Sequence, residues 1–204
     1  MKAKDIILNA LKRAKDERGL RITGKNDSLC QSHLNKADHN LIVMTDLSRL
    51  RHEDWTVITA YYAMYHSALA LLAKIGLDSK DHATTASILE YFFGEHISKE
   101  LIREFDQLKE RKDKIEAVKI EEKYIDYLWR VKRARETVQY GVSISYKEKD
   151  VIVSNAREFV SKMKLVVSQV EDEFIEVIGK EIRKLTSTEN LSGQAPTKVG
   201  HIIN

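Results

Sequence analysis

The chain has 204 residues, with 34 Lys and Arg against 31 Asp and Glu, a formal charge of +3, and 43% hydrophobic and 32% charged residues. That length and apolar content suit a packed domain with extensions and exclude a disordered chain, while a charge of +3 is too small to mark a nucleic-acid binder except through local patches. Eight Gly and one Pro are too few for the many turns of an all-β fold, so the expectation is all-α.

The first residues, Met1-Lys2-Ala3-Lys4-Asp5, enter mixed charge without the apolar run of a secretory leader, and the protein is read as intracellular. Ile6, Ile7, Ala10, Leu11 and Ala14 then recur at helical intervals over residues 2–18, up to Gly19. Gly24-Lys25-Asn26-Asp27-Ser28 reads as a loop, with Asp27 or Ser28 capping the next helix. That helix carries Leu34, Ala37, Leu41, Ile42, Met44 and Leu47. The single cysteine, Cys30, excludes an internal disulfide and a cysteine-based zinc site, and reads as a small buried hydrophobe rather than a nucleophile.

A strongly apolar helix follows over 53–75 and stops at Gly76. Val57, Ala60, Tyr61, Met64, Tyr65, Ala68, Leu71 and Leu72 cover more than one of its faces, as expected of the central helix of a bundle. Its most apolar stretch, Ala68 to Ala73, is far short of the roughly 20 residues of a membrane span. A shorter helix over 83–93 ends at Gly94. Ser98 then caps a long pattern with Leu101, Ile102, Phe105 and Leu108, which crosses the charged stretch 109–123, breaks near Val118, and continues through Tyr124, Tyr127, Leu128, Val131 and Val138 to Tyr140-Gly141.

The last helix begins near Lys147 and keeps its period through Ile152, Ala156, Phe159, Met163, Val166, Val170, Phe174, Val177 and Leu185. Some 40 residues of helix extend roughly 60 Å, longer than one such bundle covers, so the distal half needs apolar cover from the first helix or from a second protomer. The expected organisation is an amphipathic helix within 1–24 packed on the C-terminal extension, a helical bundle over 28–167, a distal extension over 168–186 and a polar tail over 187–204.

Generic enzyme signatures are missing from the sequence. There is no glycine-rich phosphate loop, no HExxH and no Glu-x-x-His pair of the di-iron bundles, and the seven histidines show no helical ligand spacing, so no metal or cofactor is expected. The informative stretch is Ala60-Tyr61-Tyr62-Ala63-Met64-Tyr65-His66-Ser67-Ala68. Its small residues let neighbouring helices approach while the rings fill the gaps. His66 and the tyrosine hydroxyls in such a core need polar partners from other helices, because an unpaired buried polar group costs about 1–3 kcal/mol.

Ala60-Tyr61-Tyr62-Ala63-Met64-Tyr65-His66, with Leu71-Leu72-Ala73-Lys74-Ile75-Gly76-Leu77, Lys80-Asp81-His82 and Arg135-Glu136-Thr137-Val138-Gln139-Tyr140-Gly141, resembles the small prokaryotic HEPN proteins over about residues 35–167. The resemblance implies an up-and-down bundle of about five core helices, here with a long C-terminal helix, and a dimer associated with nucleotide or RNA binding. Many members are ribonucleases of toxin–antitoxin, antiviral or RNA-processing systems, and some are encoded beside a minimal nucleotidyltransferase. Catalytic members carry an Arg followed, after four to six residues, by a His. The imidazole moves protons while the guanidinium holds the phosphate, without a metal. Here Tyr140 follows Arg135 after four residues and no His lies between residues 140 and 150. The ribonuclease motif is therefore degenerate, with His66 or Tyr140 as the substitutes to weigh.

Independently of the resemblance, Arg130, Lys132, Arg133 and Arg135 form a basic cluster interleaved with Tyr124, Tyr127, Trp129 and Tyr140, which offers phosphate contacts and stacking surfaces. The candidate catalytic residues are Arg135, Tyr140 and His66. The candidate nucleotide- or RNA-binding residues are Arg130, Lys132, Arg133, Arg135, Tyr62, Lys80 and His82. The expected protein is a cytoplasmic homodimer, without a membrane partner, working beside a nucleotidyltransferase-type protein in a toxin–antitoxin or defence pair. The alternatives are a non-catalytic helical assembly protein and an active metal-independent ribonuclease.

Overall fold

The computed structural model describes residues 2–16, 19–95, 116–140 and 146–192. Its elements run α1 (Ala3–Lys12), β1 (Leu20–Ile22), α2 (Asp27–Arg49), α3 (Glu53–Lys74), β2 (Leu77–Ser79), α4 (His82–Phe93), α5 (Glu122–Tyr140), α6 (Tyr146–Gln169) and α7 (Asp172–Ser192). The fold is an all-α bundle to which one two-stranded ribbon is added.

α3 is the centre because its sequence is apolar on every side. Thirteen of its residues are buried, from Thr56 and Val57 through Ala73, and it is packed by α2, α4, α5 and α6. Its alanines keep those neighbours close, and Glu53 and Asp54 in its first turn and Lys74 in its last complement the helix dipole. By length and composition α3 could cross a membrane, yet 72% of that span is buried inside the bundle, as in a core helix.

Asn26, rather than Asp27 or Ser28, caps α2 by accepting a hydrogen bond from the Leu29 amide at 2.9 Å. Asp27 falls in the first turn instead, where it is ion-paired with Lys74 at 2.8 Å. Asp81 caps α4, accepting from the amide and hydroxyl of Thr84 at 2.8 and 2.7 Å. The ribbon is invisible to periodicity because each strand has three residues. It pairs Leu20 with Ser79, Arg21 with Asp78 and Ile22 with Leu77, and an Arg21–Asp78 ion pair reinforces it.

The helical pattern expected to break near Val118 does leave the helix there. Ile120 instead bridges to Gly94, its amide donating to the Phe93 carbonyl at 2.7 Å. The cap at Ser98 and the run from Leu101 to Leu108 lie outside the described residues. The single rod expected at the C-terminus is divided: α6 ends at Gln169 and α7 begins at Asp172. The apolar period carries straight across the joint because Val170 and Phe174 are both buried, and the Phe174 ring stacks on Phe93 of α4 at 5.4 Å. Tyr91 of α4 also donates to Glu181 of α7 at 2.9 Å. The distal residues Val177, Ile178, Ile182 and Leu185 are thereby buried within the chain itself. α1 lies chiefly on α4 and also touches α7. α7 stays helical to Ser192, beyond the point where the sequence turns polar.

Two glycines hold the entry to α2 against the exit of α3. Gly24 and Gly76 have φ of +82° and +77°, and a Cβ on Gly76 would stand 2.8–2.9 Å from the backbone of Gly24 and Lys25, whereas one on Gly24 meets nothing within 4 Å. Gly24→Ala is expected to cost about 1 kcal/mol of stability from backbone strain alone, and Gly76→Ala about 3 kcal/mol because a clash is added. Urea unfolding of the two variants measures the difference; equal losses would contradict this account.

Candidate functional site

α5 packs on α3 through a stripe of Tyr124, Leu128, Val131 and Val138, all buried. Arg135 stands on the same stripe, four residues after Val131 and three before Val138. The helix therefore carries a guanidinium into its own packing face. There the Arg135 Cζ lies 5.4 Å from the ring centre of Tyr61 and 5.8 Å from that of Tyr62. Its Nη2 donates a long hydrogen bond, 3.5 Å, to the Tyr62 hydroxyl, and its Nε is buried without a partner. Among the described residues no carboxylate forms an ion pair with Arg135. Two aromatic faces hold the cation in place, each such contact stabilising by roughly 0.5–2 kcal/mol, without neutralising its charge.

The same tyrosines reach α4. Tyr61, only 1% exposed, places its hydroxyl 2.5 Å from Nδ1 of His82, the first residue of that helix. The Tyr65 ring leans on the imidazole with ring centres 4.3 Å apart. Burial first, and then the positive charges of Arg135 and Lys132, hold His82 below the usual histidine value. Burial likewise raises Tyr61 well above a free phenol and pushes Tyr65 up to about 12, so both hydroxyls keep their protons at neutral pH. Lys132 bonds Glu136 at 2.6 Å one turn along α5, and its ammonium lies 5.9 Å from the Trp129 ring.

The remaining sequence-derived residues lie in other surroundings. His66 is one turn beyond Tyr62 on α3, and its Nδ1 is 3.0 Å from Nδ1 of His33 on α2. One ring of that pair must donate and the other accept, and a second proton facing the first would break the bond. Burial, then His33 and Lys36, take His66 down to about 4. Tyr140 ends α5 with 81% of its surface exposed. Neither His66 nor Tyr140 shares a described contact with Arg135. Arg130 and Arg133 are exposed on α5. Lys80 lines a groove of about 360 Å³ with His33, Tyr65 and Asp78, between α2, α3 and the ribbon. The structure thus gathers Arg135, Lys132, Tyr62 and His82, and adds Tyr61 as the residue that touches both the guanidinium and the imidazole. Burial raises the thiol of Cys30, which is buried in the core. Among the described residues no three His, Cys, Asp or Glu side chains gather as a metal ion would require.

Two roles were not singled out by the sequence reading, that of Tyr61 as a bridge and that of His33 as the partner of His66. The signal for the first lies in the place of Arg135 on the apolar stripe of α5, between Val131 and Val138, which turns it toward a neighbouring helix. His33 carries no comparable signal, since its pairing depends on the register of α2 against α3.

The HEPN domain family matches residues 30–173, from the first turns of α2 to the start of α7, and every residue of this site falls inside that span. The chain belongs to the HEPN domain family. Comparison with curated proteins finds no match.

A folded-state value below the ordinary 6.5 means that the folded protein holds fewer protons on His66 than the unfolded chain. The stability contributed by the neutral pair is complete above the unfolded value near 6.5 and is lost as pH falls toward about 4. Urea midpoints measured across that window are expected to fall less steeply in His66→Gln than in the unaltered protein. An unchanged slope would contradict the pairing.

Proposed function

We propose that this HEPN protein binds an RNA or nucleotide phosphate at Arg135, as a cytoplasmic homodimer in a toxin–antitoxin or antiviral pair with a nucleotidyltransferase-type partner. The observation that carries the reading is the state of the guanidinium: seated on Tyr61 and Tyr62, unpaired with any carboxylate among the described residues, and with Nε unsatisfied. A cation fixed on aromatic faces keeps the planar fork that matches phosphate oxygens. The first turn of α4, with His82 at its start and Lys80 exposed just ahead of it, adds positive potential on the same side of α3 as Tyr61. Membership in the HEPN family supports the nucleic-acid setting and the two-component context. Exposed Leu50 and Trp55, flanking the turn between α2 and α3, offer apolar area to a second protomer.

Fluorescence anisotropy with a labelled single-stranded RNA tests the reading. Arg135→Ala is expected to weaken binding about tenfold and to reduce the slope of log affinity against log salt by about 1. Arg135→Lys should fall between the two, because an ammonium keeps the charge but not the fork. Binding that is indifferent to both substitutions would refute a phosphate site at Arg135.

A further inference from the structure

We propose that His82 is the proton sensor of the Arg135 site: a phosphate settling on the guanidinium draws a proton onto the imidazole, so that binding tightens as the solution turns acid. This rests on the phosphate-binding reading and deepens it by naming how that site is regulated.

The coupling runs through one buried ring. Tyr61 turns its face to Arg135, 5.4 Å from Cζ, and its hydroxyl to His82, 2.5 Å from Nδ1. The Tyr61 and His82 rings meet edge to face with centres 5.4 Å apart, and the Tyr65 ring lies 4.3 Å from the imidazole, so His82 is held in place beside the arginine's own support.

The charges around the imidazole come from every element packed on the start of α4. Lys132, Arg135 and Glu136 belong to α5, Asp81 is the cap of α4 itself, and Tyr61 and Tyr65 of α3 keep their protons. Asp78 of β2 is paired with Arg21, Lys80 is exposed ahead of α4, and Lys12 and Arg13 of α1 border a neighbouring groove along Asp81, Ala83 and Thr84 that His82 does not line. Of the two cations on α5, Lys132 is already answered by Glu136 at 2.6 Å. Arg135 is answered by no described carboxylate, and only by the Tyr62 hydroxyl and two aromatic faces. Burial first, and then that charge, keep His82 neutral while the site is empty.

A phosphate removes the second of these obstacles. It neutralises the guanidinium and brings negative charge of its own, so the imidazole gains a proton at a pH where the empty site holds none. Whichever nitrogen carries the hydrogen in the empty site, the imidazolium donates from Nδ1 to the Tyr61 oxygen, which has lone pairs to accept it. The direction of the coupling is therefore the same for both tautomers. Linkage makes it reciprocal, since the proton strengthens phosphate binding by the factor by which phosphate strengthens proton binding. Affinity is level above the histidine value of the occupied site and rises as pH falls from there to the value of the empty site, which lies below 6.5. His33 and His66 are bonded to each other and share no described contact with Arg135, so the effect belongs to His82.

The test measures binding of the full chain to oligothymidylate of roughly ten nucleotides with hydroxyl ends, at constant ionic strength and with a label that does not titrate. Its diesters and bases keep a constant charge, so between about pH 8 and about pH 5 only the protein titrates. Affinity should rise about tenfold over that interval. Calorimetry in two buffers of different ionisation heat should show protons taken up on binding at about pH 6 and none at about pH 8. His82→Gln, which can still bond Tyr61 but carries no charge, should bind within about twofold of the unaltered protein at about pH 8 and lose most of the acid gain. An affinity that does not rise in acid, the absence of proton uptake by the unaltered protein, or the same rise in His82→Gln overturns the proposal and leaves the phosphate-binding reading standing. Should Arg135→Ala bind as tightly as the unaltered protein across the whole interval, both fall.

Discussion

The arrangement depends on one constraint: α3 packs against neighbours on every side yet carries three polar tips, Tyr61, Tyr62 and His66, on two successive turns. An unsatisfied buried hydroxyl or imidazole would cost about as much as a good core contact contributes. Each therefore meets a partner on a different neighbour, Tyr61 with His82 of α4, Tyr62 with Arg135 of α5, and His66 with His33 of α2. These three contacts fix not only that the helices pack but in which register, something alanine and leucine alone specify weakly. The site is a by-product of the same rule. Where the partner of a tyrosine is a guanidinium, the helix pair acquires a fixed positive charge that no described carboxylate cancels.

Much of this was legible in residue spacing. The apolar excess around Tyr61, Met64, Ala68 and Leu72 placed α3 at the centre, and the tyrosines and His66 announced polar partners on other helices. Arg135 was legible as a cation near aromatic residues. What spacing could not convey was the direction each polar tip takes. His66 and Tyr62 are one turn apart, yet one turns to α2 and the other to α5, because the outcome depends on which helix supplies a matching group at that height. The three-residue strands escaped notice for a simpler reason, since alternation needs more residues than they have. The joint at Val170 escaped because burial keeps the apolar period continuous across a break in the backbone hydrogen bonding.

The departure from the family pattern gains a physical meaning in this geometry. Residues after Arg135 on α5 supply no histidine, and Tyr140 is turned to solvent. The imidazole of His82, at the start of α4, is nonetheless joined to the arginine through Tyr61. The guanidinium and the imidazole are thus carried by two different helices held against a third, rather than by neighbouring turns of one. Such a site depends on the packing of α3 more strongly than a motif confined to a single helix would.

The most direct measurement is the side-chain Nε–Hε resonance of Arg135 in ¹⁵N-labelled protein, followed while uridine 3′-monophosphate is added. The account predicts a saturable shift of this signal, with its exchange against water slowed as the guanidinium engages the phosphate. A resonance that stays in place at saturating nucleotide, while signals elsewhere move, would contradict it.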